Sequence, residues 1–120
     1  MKDSLYVVRN TDNMINSYAV DGRIEELEGS VDEDDQAELA TLRGLIEQYG
    51  GGDWEYGVVL IRESHFADYA EDLARDTVSV DANAWDSWPL NCIDWDRAAD
   101  DLRIDYTEID YDGVTYYARA

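Results

Sequence analysis

Negative charge is the constraint that any fold of this chain has to satisfy, since 29 Asp and Glu stand against 9 Lys and Arg and leave a formal net charge of -20. The first twenty residues are nearly neutral, with Lys2 and Arg9 balancing Asp3 and Asp12. The excess therefore lies between Asp21 and Ala120 and belongs to a folded body, not to an acidic tail. Self-repulsion on this scale costs stability. A hydrophobic fraction of 45% over 120 residues can offset it with one ordinary core.

The charge also restricts partners. Duplex DNA carries one negative charge per roughly 1.7 Å, so twenty charges occupy about 34 Å of helix axis. A compact domain of this size has a radius of gyration near ~14 Å and a diameter of roughly 35 Å. Folded in that way, the chain would match the charge per unit length of duplex DNA. Nucleic acid and anionic membranes would be repelled, whereas a basic DNA-binding groove would attract it. Salt adaptation is the competing explanation, and eight of the nine basic residues being Arg does not reject it. Four Trp and nine Tyr interleaved with the acids make the surface amphipathic, which favours the first explanation.

The pattern of apolar residues predicts a single α+β domain over residues 1–120. Asp32-Glu33-Asp34-Asp35 precedes a helical stripe of Leu39, Leu42, Leu45, Ile46 and Tyr49 that ends at Gly50-Gly51-Gly52, and acids at a helix start complement the macrodipole. Met14, Ile15, Tyr18, Ile24 and Leu27 read as a preceding amphipathic helix, giving a hairpin over about 13–49. The remainder, about 54–119, reads as a small antiparallel sheet with two acidic helices packed on it. Its strands are Tyr56 to Ile61, Thr107 to Tyr111 and Val114 to Ala118, the last two joined by an Asp112-Gly113 turn. Ser64 is expected to cap a helix running to about Asp76, and Asp94 another containing Trp95, Ala98, Ala99 and Leu102. Leu5 to Arg9 fits a short strand or a disordered end equally well.

Those two helices echo each other: Phe66-x3-Ala70-x-Asp72-Leu73-x2-Asp76 recurs as Trp95-x3-Ala99-x-Asp101-Leu102-x2-Asp105. Each would hold an aromatic anchor inside and a carboxylate row outside, Asp68, Glu71, Asp72 and Asp76 on one and Asp94, Asp96, Asp100, Asp101 and Asp105 on the other. Rows rising about 5.4 Å per turn approach phosphate spacing along a strand. Asp32, Glu33, Asp34, Asp35 and Glu38 form a third acidic group. Trp85 and Trp88 are candidates for exposed nonionic contact, because a domain this small cannot bury all its aromatics.

Trp54-Glu55-Tyr56-Gly57-Val58-Val59-Leu60-Ile61-Arg62, Phe66-Ala67-Asp68-Tyr69-Ala70, Ile93-Asp94-Trp95 and Asp105-Tyr106-x5-Asp112-Gly113-Val114-Thr115-Tyr116 carry a likeness. This segment resembles short acidic proteins of phages and mobile elements and, more distantly, the C-terminal part of ArdA-type antirestriction proteins. The chain is shorter than a complete ArdA-type protein and lacks that family's usual antirestriction motif. The resemblance implies a DNA mimic that occupies the DNA site of a host defence nuclease or effector, such as a type I restriction enzyme or a CRISPR complex. It implies a host protein as partner, and with no Walker loop, dinucleotide fingerprint or Cys/His zinc spacing in the sequence no cofactor is expected.

Catalysis is not expected. Asp94/Asp96 and Asp110/Asp112 are pairs of the kind that hold hard cations, but Asp110-Tyr111-Asp112-Gly113 lacks the later ligands of an EF-hand loop. His65 has no evident nucleophile to serve and reads as an exposed residue at a helix start. Cys92 reads as a small buried residue, and as a lone cysteine it suits a reducing cytoplasm. No apolar run is long enough to span a bilayer. The rival functional class is an acidic chaperone or adaptor that shields basic nucleic-acid-binding proteins. Apolar residues in excess of one small core also leave room for a homodimer.

Overall fold

The computed structural model describes residues 6–119, so Leu5 of the Leu5 to Arg9 segment lies outside the described residues. Tyr6 to Arg9 belongs to no helix or strand. The elements run β1 (Met14–Asn16), α1 (Ser17–Leu27), α2 (Glu33–Tyr49), β2 (Val59–Arg62), α3 (Phe66–Thr77), α4 (Trp95–Leu102), β3 (Thr107–Tyr111) and β4 (Val114–Arg119). The strands form one antiparallel sheet in the order β1-β2-β4-β3. The architecture is α+β, with a helical N-terminal part and a small sheet, as the apolar pattern predicts.

Strand alternation sorts the core into two. Val58, Leu60, Tyr116 and Ala118 point to one face, where they join Ile15, Ile109 and Tyr111 beneath Val20, Ile24 and Leu27 of α1 and Leu39, Leu42 and Leu45 of α2. Ile61 and Tyr117 point to the other face and meet Phe66 and Ala70 of α3 and Ala99 of α4. Helices thus cover the sheet on both sides. Of the two cores, the one under α1 and α2 is much the larger.

Local chemistry sets most boundaries. The Asp32 carboxylate accepts from the Asp34 and Asp35 amides at 2.8 and 3.2 Å and caps α2, which stops at Gly50 in a left-handed conformation (φ 69°). Asp112 and Gly113 both adopt positive φ, 48° and 84°, the mirror-image turn that Asp-Gly favours between paired strands.

Three boundaries differ from expectation. Met14 and Ile15 form an edge strand, not the first turn of a helix: Ile15 pairs with Leu60, and the Asn16 side chain accepts from the Tyr18 amide at 2.9 Å to start α1 one residue later. β2 begins at Val59, because Trp54 is buried in a 3-10 turn with its indole N–H donating to Asp21 at 2.8 Å. Ser64 does not cap α3; it sits in a 3-10 turn over Glu63–His65, and its hydroxyl accepts from Arg62 at 2.8 Å.

Edge strand β3 is closed from the side. The Gln48 amide at the end of α2 donates to the Asp110 carbonyl and accepts from the Asp110 N–H, both at 2.8 Å. That side chain occupies the positions a further strand would use.

The molecule measures 58 × 28 × 25 Å with a radius of gyration of 17.2 Å, which corrects the expectation of a 35 Å globule. Twenty net charges over 58 Å amount to one per about 2.9 Å, sparser than the roughly 1.7 Å of duplex DNA. The similarity to a duplex is one of sign and elongation, not of equal linear density.

Candidate functional site

Side-by-side packing of α3 and α4 brings the two echoed carboxylate rows onto one layer. Phe66 and Ala70 turn α3 inward, and Ala99, with half-buried Trp95 and Leu102, does the same for α4. Asp68, Asp72 and Asp76 are left exposed on α3, where Glu71 is half-buried. Asp96, Asp100 and Asp101 are exposed on α4; Asp94 precedes it and Asp105 follows in a 3-10 turn, since the helix ends at Leu102. From Glu63 to Asp105 there are twelve carboxylates and three arginines, so positive charge neutralises only a quarter of them.

The local partners of these acids are few. Asp94 caps α4 by accepting from the Arg97 amide at 3.2 Å. Glu71 pairs with Arg75 at 3.1 Å, Asp100 with Arg103 at 3.4 Å, and Asp68 lies 3.9 Å from His65, which is half-buried and not the exposed residue expected. Asp72, Asp76, Asp96, Asp101 and Asp105 make no ion pair among the described residues, and no Lys, Arg or His lies between Asp76 and Asp96.

The group at the start of α2 is different in position and in use. It lies on the far side of the sheet from α3 and α4, so no flat partner reaches both. Asp32 is a cap, Asp35 accepts from the Ser30 hydroxyl at 2.7 Å, and Glu38 receives Arg23 at 2.6 and 3.0 Å. The hydrogen bonds that Arg23 donates to Glu38 raise the Arg23 pKa, against an opposing effect of burial. Glu33 and Asp34 are exposed at the helix start.

The aromatic candidates divide. Trp85 is only 5% exposed, which corrects its assignment as a contact residue: its ring packs 6.3 Å from Trp95 and lies under the Arg75 guanidinium at 5.1 Å. Trp88, three residues on, is 80% exposed. Trp54, Tyr111, Tyr116 and Tyr117 are buried. Burial pushes the Tyr111 hydroxyl up to about 12, and burial with a hydrogen bond to Tyr69 does the same to Tyr106.

One feature escaped the sequence reading. Glu63, Asp96, Asp100 and Arg103 surround a shallow cavity of about 230 Å³ floored by Phe66, Ala67, Ala99 and Tyr117. Arg103 donates to the Tyr117 hydroxyl at 3.3 Å, so the cavity already holds one guanidinium over an aromatic floor. The only sequence signal for Glu63 is its place just ahead of the Ser64-His65-Phe66 helix start.

Among the described residues, no His, Cys, Asp and Glu side chains form a group of three placed to hold a metal ion. Cys92 is exposed, contrary to expectation, because it lies in a 3-10 turn on the connection between α3 and α4. No described helix is long and apolar enough to cross a membrane. No protein-family model, curated protein or solved structure matches the chain. The likeness to antirestriction proteins therefore rests on the quoted residues alone.

Proposed function

We propose that this protein is a DNA-mimic inhibitor that acts in the cytoplasm of a host cell by occupying the DNA-binding site of a defence nuclease or effector. The observation that carries the reading is the α3/α4 layer: two carboxylate rows share one surface, most of them without a compensating cation. Against a groove lined with Arg and Lys, such a surface substitutes for phosphates and gains from the release of counterions. The α2 acids contribute long-range field, not direct contact, because they lie on the opposite layer.

Addition of the chain to a purified type I restriction enzyme and to a CRISPR effector complex, each with its duplex target, tests this. DNA binding by one of them should fall at near-stoichiometric ratios, and the chain's own affinity for that complex, measured without DNA, should fall as KCl is raised, since ion pairs are screened. Unchanged DNA binding by both at low salt rejects the proposal. A second reading, salt adaptation of an unrelated scaffold, is favoured by the presence of acids on both layers; it requires high salt for folding, which circular dichroism at low salt examines directly.

A further inference from the structure

The connection between α3 and α4 is ordered around one tryptophan and exposes another. Trp85 is the internal plug, packed against Trp95 of α4 and covered by Arg75 of α3. Short hydrogen bonds brace the turn that follows: Ser87 N–H donates to the Ala84 carbonyl at 3.1 Å, Asn91 N–H to the Ser87 carbonyl at 3.0 Å and Cys92 N–H to the Pro89 carbonyl at 3.0 Å. Trp88 stands on this braced turn with 80% of its surface exposed, and of the four tryptophans it alone is exposed. The same connection exposes Val78 and Val80.

We infer that Trp88 is a preorganised anchor that inserts into an apolar pocket bordered by basic residues on a protein partner. The inference rests on the mimic reading and goes further, since it assigns part of the affinity to a side chain with no counterpart in DNA. Two observations fix the occupant. The stretch from Asp76 to Asp96 holds Asp76, Asp81, Asp86, Asp94 and Asp96 and no basic residue, so charge complementarity requires a basic rim. A second copy of this chain brings the same net charge of -20 and is repelled. A large aromatic with few rotatable bonds, carried on a braced backbone, loses little conformational freedom on binding, which is the property of interface hot spots.

The test uses the full chain against the type I restriction enzyme and the CRISPR effector complex, with affinity measured over a KCl series. Trp88→Ala should weaken binding by about 30-fold. The loss should be equal at every salt concentration, leaving the salt slope unchanged, and Trp88→Phe should recover part of it. Asp72→Asn with Asp101→Asn should instead flatten the slope. If Trp88→Ala binds like wild type while the Asn variant weakens, the anchor is wrong and the mimic stands. If wild type binds neither complex, the mimic reading and the anchor fall together. If Trp88→Ala converts a sedimenting dimer to monomer, the occupant is a second copy and the assignment is overturned.

Discussion

The two helical layers on either side of the sheet carry similar acid content and commit it to local contacts to different degrees. In the α1/α2 layer half of the carboxylates are spent locally: Asp21 receives Trp54, Asp32 caps α2, Asp35 receives Ser30, and Glu26 and Glu38 both receive Arg23. Beneath them lies the larger core, with Leu42, Leu45, Leu60 and Val20 wholly buried. The α3/α4 layer covers a smaller core and leaves most of its acids uncommitted. Charge in this protein is therefore two populations, one that holds the fold together and one that is available to a partner.

The strongest challenge to that division is a core truncation. Leu42→Ala should cost about 3 kcal/mol, read as a drop in the urea midpoint, because its side chain has no exposure and the site cannot collapse freely. Alkaline unfolding should come next. Tyr106 and Tyr111 have folded-state values raised from 10.0 to about 12, so the protonated form is favoured in the fold. Their contribution is intact below pH 10 and is lost as pH rises through about 12; Tyr111→Phe should blunt that loss while costing its bond to the Val8 carbonyl at 3.0 Å. Asp32→Ala should cost about 1 kcal/mol in a thermal melt through loss of the α2 cap. The smallest effect is expected where the acids are idle: Asp72→Asn with Asp101→Asn should change stability by less than about 0.5 kcal/mol. A large loss there would show that the outer layer is structural too and erase the contrast.

Much of the fold was legible because its signals are local. Asp94 as a cap, the helix start at Asp32-Glu33-Asp34-Asp35, the glycine stop after Tyr49 and the Asp112-Gly113 turn each depend on backbone geometry that a few residues dictate. What escaped depends on partners distant in sequence. Met14 and Ile15 show helical spacing and become a strand only because Leu60 and Ile61 lie alongside. Trp85 and Trp88 have equivalent settings in the sequence, and nothing in it says that Trp95 and Arg75 will cover the first and leave the second in water. The carboxylate rows were readable as rows, since 3.6-residue spacing decides which side of a helix they occupy. Their separation from the α2 acids by a whole sheet was not, because helix spacing carries no information about which face of the sheet a helix will cover.

The Gln48 clamp on β3 bears on what keeps copies of the chain from adding to its sheet. Mutual repulsion keeps copies apart only in dilute electrolyte, and ions that mask it leave an open strand edge as a template for fibre growth. A neutral amide bonded to Asp110 does not respond to ionic strength. The β3 edge thus carries a safeguard against strand addition that persists under the conditions in which charge ceases to protect it.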